Sequence, residues 1–129
     1  MSFNIWKIAL LVEDTKAAED MYVNTLGMKV SGRLDLRPMG VDGEAVFIDA
    51  GNVQLELIPM AAFAGAPDRL ATPGVHHLSF KVDDVPATQA ELQARGADFF
   101  KTAFSPLPGM TLAFFDGGQG VNLQLFNQK

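Results

Sequence analysis

An α+β fold built from two copies of one β-α-β-β-β unit is what this sequence of 129 residues predicts. Three observations carry the prediction. Ile8-Ala9-Leu10-Leu11-Val12-Glu13-Asp14 and Leu78-Ser79-Phe80-Lys81-Val82-Asp83-Asp84 agree in their apolar residues and final Asp at an offset of 70. Each then enters a stretch of helical character that stops at a glycine, Gly27 or Gly96. Further on, Val53-Gln54-Leu55-Glu56-Leu57 matches Val121-Asn122-Leu123-Gln124-Leu125 at an offset of 68.

The elements follow in order. Ile5–Val12 is an apolar, β-branched-rich run of strand length. Asp14 suits a helix N-cap, because its carboxylate accepts an orphan amide of the first turn. Ala18, Met21, Tyr22 and Leu26 recur at helical spacing and predict one apolar stripe. Gly27, free to take positive φ, ends that helix. Strands are then expected at Lys29–Leu36, Glu44–Asp49 and Val53–Ile58. In the second copy Asp84 caps, Pro86 falls in the first turn, and Leu92 anchors the helix. Its strands are expected at Asp98–Thr102, Thr111–Phe115 and Val121–Phe126. Asp42-Gly43, Gly51-Asn52, Pro108-Gly109 and Gly117-Gly118 supply the turns.

The modules run over about 4–58 and 75–127, joined by Pro59–Gly74, which is rich in Ala, Pro and Gly. A half of this size buries too little surface alone, so residues 1–129 are expected to form a single domain. Composition narrows the partners: 48% of residues are apolar and 19% charged, as in ordinary globular proteins. The net charge of -5 leaves no basic face for phosphate, so nucleic acid is not an expected partner. Ile8–Val12, as long a purely apolar run as the sequence holds, is too short to span a membrane. Met1-Ser2-Phe3-Asn4 lacks the basic region and apolar core of a signal peptide. With no cysteine, disulfide and thiolate chemistry are excluded, and a cytoplasmic location is expected.

Strand side chains alternate between faces, so parity carries information. Leu10 and Val12, Leu55 and Leu57, Phe80 and Val82, and Leu123 and Leu125 lie on apolar faces where helices must pack. The opposite faces carry Lys7, Glu56, His77 and Gln124 near the strand centres. By the repeat, Lys7 corresponds to His77 and Glu56 to Gln124. Phe126 shares parity with Gln124, whereas His76 falls with Leu78 and Phe80 and reads as structural. Phe47, Phe63, Phe100, Phe104, Met60 and Met110 are candidates to line a substrate pocket but read first as core, and Arg33 and Arg37 are candidates to meet an anionic ligand but read first as solvated strand-end charges. Gly117-Gly118-Gln119-Gly120 is the turn before the last strand rather than a phosphate loop, because no helix follows it.

Lys7–Asp14 with Tyr22 and Leu26-Gly27, then Gly74–Asp84 with its His76-His77 pair, and finally the two closing strands appear in a characteristic order. In that order and spacing they resemble the vicinal oxygen chelate superfamily, which includes glyoxalase I, the bleomycin-resistance proteins and the extradiol dioxygenases. The resemblance implies paired modules forming a cupped, barrel-like mixed sheet, and a homodimer. In metal-dependent members four positions surround one divalent cation, such as Zn, Ni, Mn or Fe. By motif these fall on Lys7, Glu56, His77 and Gln124. Glu56 and His77 agree with the pattern, while Lys7 replaces a His or Gln and Gln124 replaces a Glu.

Both departures bear on function. A charged ammonium has donors and no lone pair, so it repels a cation. A Gln amide cannot accept a proton, so glyoxalase I activity itself is not expected. An iron site of the ring-cleaving dioxygenase type would want two His and one carboxylate. Two readings stand at this point. The leading one is a cavity binding a small organic molecule through Lys7, Glu56, His77, Gln124 and Phe126, with a Lys7–Glu56 ion pair where a metal would otherwise sit. The other is a metal-dependent lyase or isomerase of glyoxalase type, with Glu56, His77 and Gln124 as ligands.

Overall fold

The computed structural model describes residues 2–129; Met1, the first residue of the segment read against a signal peptide, lies outside them. Contacts divide the chain into two compact units, Lys7–His76 and the residues before Lys7 together with His77–Lys129. The first module runs β1 (Asn4–Val12), α1 (Thr15–Asp20), β2 (Lys29–Asp35), β3 (Glu44–Asp49) and β4 (Gln54–Pro59). Its strands lie in the order β2-β3-β4-β1, with β1 parallel to β4 and the other pairs antiparallel. The connector holds a 3₁₀ turn at Met60–Phe63 and a short helix, α2 (Asp68–Ala71). The second module repeats the first: β5 (Gly74–Lys81), α3 (Val85–Ala94), β6 (Lys101–Phe104), β7 (Met110–Asp116) and β8 (Asn122–Gln128). Its order, β5-β8-β7-β6, again has its first and last strands parallel. The chain is α+β, and the unit expected from the repeat is present twice.

Capping accounts for both helix starts. Asp14 accepts from the Ala17 amide at 3.0 Å and Asp84 from the Ala87 amide at 2.9 Å. Gly27 and Gly96 follow at φ of 74° and 95°, a conformation costly for residues with a Cβ. Helices then cover the faces expected of them. Ala18, Tyr22 and Val23 pack with Leu10 and Val12 on Val46, Ile48 and Leu57. In the other unit, Val85 and Leu92 pack on Ala113, Phe115 and Leu125. The connector covers the reverse of β1 and β4, setting Met60, Ala62 and Phe63 against Ala9, Leu11 and Ile58.

Two expectations need adjustment. The stripe through Met21 and Leu26 does not hold, since these residues are 50% and 54% exposed. After Asp20 the helix widens into a π turn over Met21–Thr25, in which the Leu26 amide bonds the Met21 carbonyl. That added residue per turn rotates the face, carrying Val23 inward and Met21 outward. The strand expected at Asp98–Thr102 begins at Lys101 instead. Ala97 and Phe99 are used as core, and the Asp98 carbonyl accepts from the Asp116 amide at 2.8 Å. Among the described residues no helix is long and apolar enough to cross a membrane.

Candidate functional site

The two modules build the same local arrangement and fill it differently. In the first, β1 and β4 run parallel with Ala9 opposite Glu56. Lys7, two residues earlier on the same face, reaches diagonally past the small Ala9 side chain, and its Nζ donates to Glu56 Oε1. Both residues are buried, at 6% and 4% exposure. Phe47, opposite Glu56 on β3, places its ring centroid 5.8 Å from the ammonium, within cation–π range. A positive charge in this module is therefore held by a carboxylate and an aromatic ring.

In the second module His77 takes the place of Lys7, Ser79 that of Ala9, and Gln124 that of Glu56. Phe114, opposite Gln124 on β7, takes the place of Phe47. Ser79 and Gln124 face each other in register, and Ser79 Oγ donates to Gln124 Oε1 at 2.6 Å. The His77 ring stands edge-on to Phe114, with centroids 5.3 Å apart and planes at 90°. Phe100 and Phe104 lie against Phe114 from β6 and its approach, at 6.0 and 6.4 Å. His77, Ser79 and Gln124 are all buried.

The remaining candidates separate cleanly. Phe126 is buried and stacked on Trp6, with centroids 3.7 Å apart and planes at 12°. His76 is structural: its Nε2 donates to the Leu70 carbonyl at 2.8 Å and its ring meets Phe63 at 4.2 Å. Burial holds the His76 imidazolium below the ordinary histidine range, with Lys7 adding to the shift; the Leu70 carbonyl and Glu56 pull the other way. Arg33 is engaged by Glu19 and Glu44 on the surface, and hydrogen bonds to both raise its already high pKa. Arg37 pairs with Asp35. Gly117–Gly120 closes a turn in which the Gly117 amide bonds the Val121 carbonyl at 2.8 Å.

Two participants escape a reading by residue type, Ser79 and Phe114. Parity alone puts Ser79 beside His77, and the repeat puts it at the position of Ala9, so the signal for it is present in the sequence. Phe114 needs the register of β7 with β8, which the sequence does not state.

The donor chemistry tests whether a divalent cation suits these positions. A ligand must offer an available lone pair. The Lys7 ammonium, which has no lone pair, is bonded to Glu56 Oε1, and Gln124 is an uncharged amide. Among the described residues no group of three or more His, Cys, Asp or Glu is clustered as a metal site would require. In the unit that holds Glu56, the ammonium beside that carboxylate opposes a second cation.

Comparison with known proteins places these modules. Residues 7–114 match the family model described as the glyoxalase/bleomycin resistance protein/dioxygenase superfamily. The chain is 33% identical over 94 residues to the ethylmalonyl-CoA/methylmalonyl-CoA epimerase of Cereibacter sphaeroides, covering 70% of this chain and 69% of that protein. It is 32% identical over 92 residues to the mitochondrial methylmalonyl-CoA epimerase of Homo sapiens, covering 68% of this chain and 51% of that protein. In structure it is similar to a hypothetical protein from Bacillus halodurans C-125, with a TM-score of 0.80 at 23% identity, covering 100% of this chain and 96% of that one.

Proposed function

Because the chain belongs to the glyoxalase/bleomycin resistance protein/dioxygenase superfamily, we propose that it binds a small organic molecule through Lys7, Glu56, His77, Gln124 and Phe126 without a complete divalent-metal site. The observation that carries this reading is the buried contact of the Lys7 ammonium with the Glu56 carboxylate. A charge pair so removed from water holds only while both partners remain, and a divalent cation approaching Glu56 would be repelled by the ammonium. Gln124 adds a second reason, since an amide neither carries negative charge nor takes up a proton at neutral pH.

The ligand class we favour is a short organic acid or its acyl thioester. Support comes from the two relatives named as epimerases of methylmalonyl-CoA. The competing reading, a metal-dependent isomerase with Glu56, His77 and Gln124 as ligands, draws on the same kinship and on the agreement of Glu56 and His77 with the family pattern.

Elemental analysis separates the two. Untagged protein is dialysed in turn against Ni²⁺, Zn²⁺, Mn²⁺ and Fe²⁺, then against buffer. Binding of methylmalonyl-CoA is measured by calorimetry with and without chelator. The expected result is little retained metal and binding that the chelator leaves unchanged. Near-stoichiometric metal, lost in His77→Ala and in Glu56→Ala, would sink the metal-free reading and put the isomerase ahead.

A further inference from the structure

Asp-Gly occurs twice in the chain, at Asp42-Gly43 just before β3 and at Asp116-Gly117 where β7 ends, and both pairs are exposed. The pair matters chemically because glycine, without a Cβ, leaves its amide nitrogen open to the carboxyl of the residue before it. The two turns treat that nitrogen differently. The Gly117 amide donates to the Val121 carbonyl at 2.8 Å, and the Asp116 carboxylate accepts from the Gly118 amide at 2.8 Å. A Cβ on Gly117 would stand 2.9 Å from Leu123, so the backbone there has little room to move. At Asp42-Gly43 none of this holds. Among the described residues the Gly43 amide donates no hydrogen bond and the Asp42 carboxylate accepts none. Arg37 feels the Asp42 charge, yet its hydrogen bonds go to Asp35. Gly43 has a φ of 144° and open space where a Cβ would be.

We propose that Asp42-Gly43 is a self-modification site, where aspartate converts to isoaspartate through a cyclic imide, and that the fold shields Asp116-Gly117 from the same reaction. The Gly43 nitrogen attacks the protonated carboxyl carbon of Asp42. A C–N bond closes a five-membered ring, and the carboxyl O–H leaves with the amide proton as one water. Water then opens the ring at either carbonyl. Cleavage at the side-chain carbonyl restores aspartate. Cleavage at the backbone carbonyl leaves the chain running through Cβ, with a free carboxylate on Cα. The product has one more main-chain atom just ahead of Gly43, whose carbonyl accepts from the buried Leu36 amide at 3.0 Å. It also precedes Glu44, which bonds Arg33 at 2.9 Å. The closure between β2 and β3 therefore loosens as the protein ages.

The experiment incubates the folded protein, and the same protein in urea, in H₂¹⁸O at mildly acid pH. Peptide mapping with electron-transfer fragmentation then locates isoaspartate over time. In the folded protein it should form at residue 42 roughly tenfold or more faster than at residue 116, where two hydrogen bonds must first open. Each conversion should carry one ¹⁸O from ring opening. In urea the two rates should converge, because the shielding belongs to the fold. Asp42→Glu keeps the charge but would need a larger ring, so it should remove the signal at 42, with folding checked by thermal melting. In the isoaspartyl form, separated by chromatography, the Leu36 amide should exchange with deuterium faster than in the parent. No isoaspartate at 42 in the folded protein, no lead over 116, or conversion without ¹⁸O would overturn the inference. Unchanged exchange at Leu36 would overturn the loosening drawn from it.

Discussion

Taking the ammonium away from Lys7 would leave a carboxylate that is 4% exposed without its partner. Breaking a buried pair from one side is costly, so Lys7→Met should lower stability by about 3–5 kcal/mol in urea denaturation. Lys7→Met combined with Glu56→Leu should recover most of that loss, because two apolar groups need no mutual charge. A single variant within experimental error of wild type would show that the pair contributes nothing. His76 makes a second prediction at this scale. Burial keeps its folded-state pKa below the ordinary 6.5, so the unfolded chain takes up the proton more readily. As pH falls below about 6.5 the unfolded state binds protons that the folded state refuses, and stability drops. The melting temperature should therefore fall more steeply with acid in wild type than in His76→Gln, which still offers the Leu70 carbonyl an N–H. Equal slopes would remove His76 as the cause. Lys7, Glu56 and His77 were legible as candidates from parity and the repeat. Their partners were not: a diagonal reach past Ala9 and a bond across register are properties of strand pairing, not of residue type.

At the scale of the element, the two helices show where local rules suffice. Asp14 and Asp84 cap as their side chains dictate, and α3 keeps its phase from Val85 to Ala94. The first helix keeps its phase for only six residues before the π turn shifts it. Val23, Asn24 and Thr25 are weak helix formers, and Val23 gains more from the core than regular helix would give it. Met21→Ala should then change stability by no more than about 0.5 kcal/mol. Val23→Ala should cost about 1 kcal/mol or more through lost apolar burial. Thermal or chemical denaturation of the two variants checks this, and the reverse ranking would restore a regular helix with Met21 inward. Arg33 ties α1 to β2 and β3 through Glu19 and Glu44, but on the surface, so Arg33→Ala should have a small effect that salt diminishes.

For the whole molecule, each unit has its own buried centre, with Leu57 in one and Leu125 in the other, both at 0% exposure. Replacing either with Ala should cost about 2–5 kcal/mol, a large share of a domain's typical 5–15 kcal/mol. A unit of this size buries little surface by itself, so both variants should lower the midpoint of one shared unfolding transition. Two resolved transitions, each sensitive to one variant, would argue for independent units instead. What the sequence determined by itself is the repeated β-α-β-β-β unit, its caps and glycine stops, the apolar faces under the helices and the four polar positions opposite them. These depend on periods of two and 3.6 residues and on side chains meeting their own backbone, which are local matters. What only the tertiary structure decided is which groups meet: Lys7 with Glu56 and Phe47, Ser79 with Gln124, His76 with Leu70. Register between strands distant in the chain sets the first two groupings, because shifting a strand by one residue would turn those side chains to the other face, while α2 brings the Leu70 carbonyl to His76.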